Sequence, residues 1–384
     1  MNTRKPGDDF DVEQYNFNTS EFVCANHLQN NFINKKIKEV GDKGICSYCN
    51  KKRIVVELSE ILKLIVIGIE YLFEDPNDSR YYNKDGEHGF DGNTFDFYDL
   101  WYEDYLDLRI VDDQLIENIY SYLSNDSLYC YIDEYTSESD YLDSIWTEFK
   151  DTVKHKARFV FHFKDLFKGS DYSDPIDILN KVQNSILKYN LISELPTNTI
   201  LYRARQHSKP KEISKAYEMA SAPILLSKAN GRMNPAGISM FYCSRNKDLT
   251  LKEVVDFKDA QRPYYTTVIF RNNEKLRLVD LSFLPELGSV FDETTNRERE
   301  TLTFLKDFID DISKPIDYND SIIEYIPTQI VTEYIRFNPK LNVDGIIYPS
   351  SKDSSEYNIV IFYNHEESLE KLTFSESSLK TVKT

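Results

Sequence analysis

The sequence has 384 residues, more than an average domain, so two or three domains are expected. Hydrophobic residues make up 41% and aromatic residues 14%, which excludes a disordered chain because hydrophobic cores can form. The formal net charge is −18, and residues 70–150 hold 22 acidic residues against four basic ones. This stretch repels phosphate backbones, which argues against a nucleic-acid-binding protein. It is either a solvated acidic face or a docking surface for a basic partner.

No secretory signal is visible at the amino terminus. Residues 1–17 lack the apolar core of such a signal, and the first twenty residues are expected to form a loosely attached arm. The most apolar run, residues 61–73, contains Lys63 and Glu70 and is too short to span a bilayer. Five cysteines in a chain of this length do not indicate a disulfide scaffold. The expected location is therefore the reducing cytoplasm, without membrane contact.

Four potential metal ligands occur as two closely spaced pairs. Cys24 and His27 form the first pair, and Cys46 and Cys49 form the second after an interval of eighteen residues. A tight turn at the two glycines ahead of the second pair would let both sulfurs face one point. Tetrahedral Zn²⁺ takes four such ligands, and a closed set leaves no position for a substrate. A structural zinc ion is therefore predicted in an arm and knuckle over residues 1–53. The alternative is two pairs of small, buried cysteine side chains.

An acidic helical domain is predicted over residues 54–170. The apolar run 54–73 indicates a buried helix, and the glycine-containing stretch 83–93 indicates a loop. Further helices are predicted at about 94–107, 113–124 and 139–153. Aromatic residues occur there at helical spacing, which is attributed to core packing.

An α+β fold is predicted for residues 171–384, because short β-rich runs alternate with helical patterns. Residues 171–175 are typical of a linker, and residues 176–189 of an amphipathic helix. Strands are predicted at 200–205, 238–243, 264–270, 276–281, 345–348 and 358–363. Helices are predicted at 249–257, 297–312 and 329–336.

Two arginines share one face of the first of these strands. Arg203 and Arg205 are two positions apart, so both side chains point to the same side. Guanidinium groups pair bidentately with pyrophosphate oxygens, which indicates a phosphate site. Solvated or salt-bridged arginines on an edge strand are the alternative.

A second polar cluster begins at the turn formed by residues 231–237. The turn contains Arg232 and Asn234, and Tyr242 follows on the next predicted strand. Backbone N–H groups in a glycine- and proline-shaped turn can approach a phosphate closely.

Glu253 and a pair of serines complete the polar positions. Glu253 is either a functional carboxylate or the second half of a capping box that begins at Thr250. Ser350 and Ser351 follow the predicted strand 345–348, where loop composition alone would also explain them. No histidine is close enough in sequence to suggest a catalytic triad.

Taken together, these clusters resemble the RES family, which is named for its arginine, glutamate and serine. The resemblance covers about residues 195–365, and the part before about residue 170 resembles the HEPN-like helical region that accompanies some RES domains. The matching segments are 202–205, 231–237, 241–242, 253, 279–281, 325–329 and 344–351.

The resemblance implies a fold related to ADP-ribosyltransferases and an activity that destroys NAD⁺. By position, Arg203 is the family arginine, Glu253 the glutamate and Ser350 the serine, with Ser351 left open as the alternative. Many members are toxins paired with an antitoxin, whereas others stand alone. The further residues expected to contact the NAD⁺ substrate are Arg205, Arg232, Asn234, Tyr242 and Ser351.

The expected chemistry is cleavage of the nicotinamide–ribose bond by hydrolysis or phosphorolysis, depleting NAD⁺ as a toxin or anti-phage effector. Glu253 would stabilise the positive charge that develops at C1′. Arg203 and Arg232 would hold the pyrophosphate. Tyr242 would pack on the nicotinamide ring, and Ser350 would orient the substrate.

Two other functions are consistent with the sequence. A HEPN-type ribonuclease or nucleic-acid sensor would use an arginine followed by a histidine, but Arg158 and His162 have only three residues between them where four to six are typical. An inactive RES fold would act as a binding module. Partners expected besides NAD⁺ are an antitoxin or sensor protein and a second copy of the chain.

Overall fold

The computed structural model describes residues 15–81, 83–84, 89–90, 93–102, 106, 108–123, 128–132, 138–160, 175–315, 321–353 and 355–384. The chain divides into two compact units. Unit 1 consists of Met1–Tyr141 and Glu286–Thr303, and unit 2 consists of Leu142–Pro285 and Phe304–Thr384. The domains expected from the sequence, 1–53, 54–170 and 171–384, stay a prediction.

Unit 1 begins with a three-stranded antiparallel sheet in the order β1-β4-β3 and continues with helices and short strand pairs. Its strands are β1 (Phe22–Cys24), β2 (Leu28–Gln29), β3 (Asp42–Ile45), β4 (Lys52–Glu57), β5 (Phe73–Glu74), β6 (Arg109–Ile110) and β7 (Cys130–Tyr131). Its helices are α1 (Asn31–Val40), α2 (Leu58–Leu72), α3 (Pro76–Ser79), α4 (Phe97–Tyr102) and α5 (Asp113–Leu123).

The start of the helix predicted at 54–73 is wrong, because residues up to Glu57 belong to β4. Val55 and Val56 pair with β1, and β-branched side chains favour this extended backbone over a first helical turn. The helix α2 then begins at Leu58 and is buried on most of its faces, as the apolar composition predicts.

Segment 286–303 enters the core of unit 1 against α2. A Cβ atom on Gly68 would lie 2.6 Å from the ring of Phe291, so only glycine leaves room for that ring. The Tyr71 hydroxyl donates a hydrogen bond to the Glu300 carboxylate. Residues far apart in the sequence therefore build one core.

Two predicted helices of the acidic stretch are confirmed at 113–124 and 139–153, as α5 and α6 (Glu138–Asp151). The helix predicted at 94–107 is present only as α4, and residues 103–105 and 107 lie outside the described part of the chain.

Unit 2 combines helices with two sheets. Its helices are α6 (Glu138–Asp151, from Leu142 onward in unit 2), α7 (Pro175–Lys188), α8 (Lys247–Val254), α9 (Asn296–Ser313, from Phe304 onward in unit 2), α10 (Ser321–Glu324), α11 (Ile326–Phe337) and α12 (His365–Lys371). Its strands are β8 (Ile192–Leu195), β9 (Ile200–His207), β10 (Phe241–Cys243), β11 (Tyr264–Asn272), β12 (Leu276–Asp280), β13 (Gly345–Pro349), β14 (Tyr357–Ile361), β15 (Leu372–Phe374) and β16 (Lys380–Lys383).

The sheets of unit 2 confirm the prediction of mixed helix and sheet. The larger sheet has the order β10-β14-β13-β12-β8, with β12 and β13 parallel and the other pairs antiparallel. In the smaller sheet β11 pairs with β9, β15 and β16. An isolated bridge between Tyr202 and Ser244 connects β9 to the residue after β10. The ends of β9 and β10 are therefore held side by side.

The strand predicted at 238–243 is shorter than expected. Only Phe241–Cys243 is strand, because the three residues before it close the turn 231–237, where the Ile238 N–H donates to the Pro235 carbonyl. In the described part of the chain, no helix is long and apolar enough to cross a membrane.

Candidate functional site

Arg203 lies in the middle of β9, and one N–H donor of its guanidinium has no hydrogen-bond partner among the described residues. Its guanidinium stacks over the Phe241 ring with 4.6 Å between Cζ and the ring centroid, and its Nη1 is buried without a partner in the described part of the chain. Burial, and then the charge of Arg205, lower the pKa of Arg203 to about 9. A half-buried cation with a buried N–H donor that lacks a partner is suited to bind an anion.

Arg205 lies on the same face of β9, but its donors are in use. Its Nη1 donates to the Glu218 carbonyl at 3.1 Å and its Nη2 to the Ala220 carbonyl at 3.5 Å. Burial lowers its pKa from the ordinary value. Arg205 therefore fixes the segment beside β9, and a direct contact with substrate stays a prediction.

Glu253 is the penultimate residue of α8, and the capping-box interpretation is wrong. The helix begins four residues earlier than that motif requires, because Asn246 is the N-cap and accepts from the backbone N–H groups of Asp248 and Leu249. The Thr250 hydroxyl donates to the Asn246 carbonyl at 2.8 Å. The Glu253 carboxylate is therefore not consumed by a helix start.

Two side chains from other elements donate to the same oxygen of Glu253. The Ser350 hydroxyl donates to Oε1 at 2.5 Å, and the Asn358 amide donates to Oε1 at 2.7 Å. Within the described residues, Oε2 has no hydrogen-bond partner. Asn358 was missed in the sequence, where its only signal is a single amide at the start of an apolar strand.

Of the two adjacent serines, Ser350 is the one that contacts Glu253. Its hydroxyl oxygen also accepts hydrogen bonds from the backbone N–H groups of Lys352 and Asp353, at 3.0 and 3.2 Å. These three bonds fix the Ser350 side chain, which is buried. Ser351 makes no side-chain hydrogen bond in the described part of the chain.

Tyr242 and Asn234 hold the turn 231–237. The Tyr242 hydroxyl accepts from the Met233 N–H at 3.0 Å and donates to Asn234 Oδ1 at 2.5 Å. The Asn234 amide donates to the Ile238 carbonyl at 2.6 Å. A Cβ atom on Gly231 would lie 2.4 Å from Asn234 Oδ1, so the turn requires glycine there. Burial raises the pKa of Tyr242 above its usual value.

Arg232 is engaged at the carboxyl end of α9. Its Nη1 donates to the Ile312 carbonyl at 2.7 Å, its Nη2 donates to the Lys314 carbonyl at 2.9 Å, and its guanidinium lies over the Tyr325 ring. A cation at this position satisfies the last helical carbonyls and the negative end of the helix dipole. That Arg232 binds pyrophosphate stays a prediction. Only the N–H groups that are not already bonded to these carbonyls can take part in such binding.

Tyr348 is a buried neighbour of both Tyr242 and Glu253. It is buried on β13, directly opposite Asn358 of β14. Burial raises its pKa well above the usual value, and the proximity of Tyr242 and Glu253 raises it further. Tyr242 in turn follows Phe241, the residue whose ring lies under the Arg203 guanidinium. The sequence-predicted residues therefore gather in one region of unit 2.

A separate cluster in unit 1 brings the four predicted metal ligands together. Cys24 ends β1, His27 follows in a short 3₁₀ turn, and Cys46 and Cys49 lie in the turn between β3 and β4. The ligand atoms all lie within 4.8 Å of one another. The turn that brings the cysteines together is at 46–51, and not at the two glycines expected. Gly41 follows the end of α1, and Gly44 lies within β3.

His27 has the environment of a metal-binding histidine. Its Nδ1 lies 3.2 Å from Asp112 Oδ2, while its Nε2 is buried without a hydrogen-bond partner in the described part of the chain. Contact with His27 is the largest influence on Cys49 and lowers the pKa of its thiol to about 6. Carboxylate-oriented histidine plus three cysteines is a donor set that fits Zn²⁺.

The arginine–histidine pair considered for a HEPN ribonuclease lies only partly within the described residues. Arg158 follows a π-helical turn at Thr152–Lys156, and His162 lies outside the described residues.

Comparison with known families agrees with these features. Residues 39–166 match the model described as HEPN/RES N-terminal domain 1, and residues 200–377 match the RES domain. No curated protein matches the chain. The two models together account for about four fifths of the sequence, and the second contains Arg203, Glu253 and Ser350. The chain therefore belongs to the RES-domain proteins that carry a HEPN/RES N-terminal domain.

Proposed function

We propose that this protein cleaves the nicotinamide–ribose bond of NAD⁺, by hydrolysis or phosphorolysis. The observation that carries the proposal is Glu253, whose carboxylate is held through one oxygen while the other is left without a partner among the described residues. The two adjoining sheets of unit 2 are proposed to form an ADP-ribosyltransferase-like fold.

In the proposed reaction the C1′–N1 bond breaks, and its electron pair leaves with neutral nicotinamide. Positive charge develops at C1′ and the ring oxygen, and a fixed carboxylate beside the ribose stabilises that charge and accepts a hydrogen bond from a ribose hydroxyl. The free Oε2 of Glu253 takes this role. Water attacks C1′ and loses a proton, which gives ADP-ribose; phosphate as the acceptor gives the 1″-phosphate.

Arg203 binds the pyrophosphate in this proposal. A guanidinium with a pKa of about 9 stays protonated at neutral pH, and its buried Nη1 gains an anionic acceptor only when a ligand enters. Arg205, Arg232 and Asn234 shape the surroundings through the contacts that they already make.

Tyr242 and the serines complete the proposed substrate site. The hydroxyl of Tyr242 is committed to the turn, so its ring face is the part available to nicotinamide. Ser350 orients Glu253, and Ser351 is the serine left to contact the substrate.

Loss of NAD⁺ is harmful to the cell that contains the enzyme, so the proposed biological role is that of a toxin or anti-phage effector restrained by an antitoxin or sensor. The cluster in unit 1 is proposed to bind a structural Zn²⁺, because four protein ligands leave no coordination position for a substrate.

The test is to incubate the purified chain with NAD⁺, with and without phosphate, and to separate the products by chromatography. Nicotinamide together with ADP-ribose or its 1″-phosphate is expected, and the Glu253→Gln variant is expected to lose at least 100-fold in rate. A folded wild-type chain that releases no nicotinamide would overturn the proposal and favour a binding module.

A further inference from the structure

The Glu253 carboxylate is oriented by two different elements of the larger sheet. Ser350 follows β13 and Asn358 lies on β14, and both donate to Oε1. We propose that Asn358 is a positioning residue for catalysis, which together with Ser350 fixes Oε1 so that Oε2 faces the ribose. This inference rests on the proposed function.

The strand that carries Asn358 is a rigid support. β14 lies between β10 and β13 in the larger sheet: Asn358 pairs with Tyr348 of β13, and the next three residues pair with both β13 and β10. An amide on such an interior strand has a fixed origin, and its N–H can donate to a carboxylate oxygen 2.7 Å away without movement of the backbone. The second donor, Ser350, prevents the carboxylate from rotating, because rotation would break both hydrogen bonds at once.

The turn after β13 is also tied to α8, the helix that carries Glu253. Lys252 pairs with Asp353 at 2.7 Å, and the N-cap side chain of Asn246 donates to Glu356 Oε1 at 2.5 Å. These contacts connect both ends of the helix to residues between Ser350 and Asn358. The carboxylate is therefore oriented before any substrate binds, which is the condition under which a fixed charge accelerates a reaction.

This arrangement separates substrate binding from the rate of the chemical step. Asn358 contacts Glu253 and not the arginines that are proposed to bind the pyrophosphate. Its loss should therefore lower kcat much more than it weakens NAD⁺ binding, because an unoriented carboxylate still leaves the anion site intact.

The experiment compares Asn358→Leu, Ser350→Ala and the double variant by kcat and by the Kd for NAD⁺. We expect each single change to lower kcat about 10- to 100-fold and to change Kd by less than about threefold. The double variant should lose less than the product of the two single effects, since both donors act on one oxygen.

Two further variants exclude trivial explanations. Asn358→Asp keeps the shape of the side chain but removes the donor and adds a like charge, so its kcat should fall at least as far as that expected for Asn358→Leu. This variant tests the proposal if Asn358→Leu does not fold. Asn273→Leu is the matched control, because the side chain of this exposed asparagine bonds only to the Glu370 carbonyl and the Thr373 hydroxyl, outside the proposed site, and should leave kcat unchanged.

The outcomes distinguish the two proposals. If the wild type releases nicotinamide but the Asn358 variants match Asn273→Leu, the positioning role is overturned and the proposed function stands. Equal losses in kcat and binding, or multiplicative effects in the double variant, also overturn it. If the wild type releases no nicotinamide, the proposed function fails and this inference fails with it.

Discussion

At the scale of single residues, Arg203 and Glu253 have opposite hydrogen-bonding states. Arg203 is a half-buried cation whose buried Nη1 donor has no partner in the described part of the chain, whereas Glu253 Oε1 already accepts two hydrogen bonds. An unsatisfied buried donor lowers stability by about 1–3 kcal/mol. Arg203 therefore destabilises the empty protein, while Glu253 is stably oriented without a ligand.

Replacement of Arg203 by methionine should separate stability from function. The change removes the unpaired buried N–H donor but keeps an apolar side chain over Phe241, so we expect the free energy of unfolding to rise by about 1 kcal/mol. Binding of NAD⁺ should weaken at least about 10-fold because the charged hydrogen bond to the ligand is lost. Urea unfolding and calorimetry measure the two effects.

The control for this prediction is Arg271→Met. Arg271 donates to the Asn198 carbonyl at the surface, so its loss should neither stabilise the protein nor affect NAD⁺ binding. A marked loss of stability in Arg203→Met would show that the guanidinium is satisfied in the empty protein.

Asp112 should control zinc affinity without being a ligand. Its Oδ2 lies 3.2 Å from His27 Nδ1, which leaves Nε2 for the metal, and loss of such a partner typically lowers metal affinity 10- to 100-fold. We expect about one Zn²⁺ per chain in the wild type, none in Cys46→Ser, and a 10- to 100-fold weaker site in Asp112→Asn.

Competition with a chelator, followed by elemental analysis, measures this affinity. The neighbouring carboxylate supplies the control: Asp113→Asn removes an exposed charge from the first turn of α5 and should leave the affinity unchanged. Equal affinities in the two variants would argue against metal binding through His27 Nε2.

At the scale of elements, Asp311 joins α6 to α9 inside unit 2. It accepts hydrogen bonds from Trp146 and Lys150 of α6, each at 2.8 Å, and from Lys314 at 2.7 Å. Burial acts to raise its pKa, but the hydrogen bonds from Lys150, Lys314 and Trp146 together lower the pKa of Asp311 to about 2. This carboxylate therefore stabilises helix packing only while it is ionised.

The stability of the protein should depend on Asp311 in acid. The folded pKa of about 2 lies below the ordinary value of 3.8, so the unfolded chain takes up the proton first as the pH falls. The contribution, about 2 kcal/mol, is present above pH 4 and is lost between about pH 4 and pH 2.

Thermal unfolding as a function of pH checks this prediction. Asp311→Asn should lower stability at neutral pH and flatten the profile between pH 4 and pH 2, whereas Asp310→Asn, at an exposed neighbouring position, should do neither. Parallel profiles for the wild type and Asp311→Asn would contradict the assignment.

Local patterns predicted the strands β9 to β14 and the longer helices of unit 2, because hydrophobic periodicity is a local signal. They missed the short elements β8, β15, β16, α10 and α12. They did not predict which polar residue would cap α8, since Asn246 and Thr250 are both good caps. Asn246 is selected by its contact with Glu356, 110 residues away. For the same reason Asn358 was missed, whereas Glu253 and Ser350 were found through the family resemblance and not through their spacing.

At the scale of the whole molecule, unit 2 begins earlier in the chain than the RES match does. The side chains of Trp146, Phe149 and Val153 belong to the same hydrophobic core as Phe304 and Phe308. Residues outside the matched range of 200–377 therefore complete the core beneath the matched domain.

Truncation tests this dependence. A chain of residues 171–384 lacks the five side chains that α6 and the turn after it add to this core, each worth about 2 kcal/mol or more, and should be unfolded or aggregated. A chain of residues 138–384 retains α6 and should be clearly more stable, as measured by circular dichroism and thermal unfolding. Since both chains lack the rest of unit 1, equal stability would show that α6 is dispensable.

The segment 286–303 has a consequence for how such proteins can recombine. It lies within the range of the RES match, yet its Phe291 ring occupies the space left by Gly68 of α2 in unit 1. A RES domain transferred to another gene by a single crossover ahead of residue 200 would carry this segment without its partner. The two parts of the chain are therefore expected to be inherited together, and position 68 to stay small in every lineage that keeps a phenylalanine at position 291.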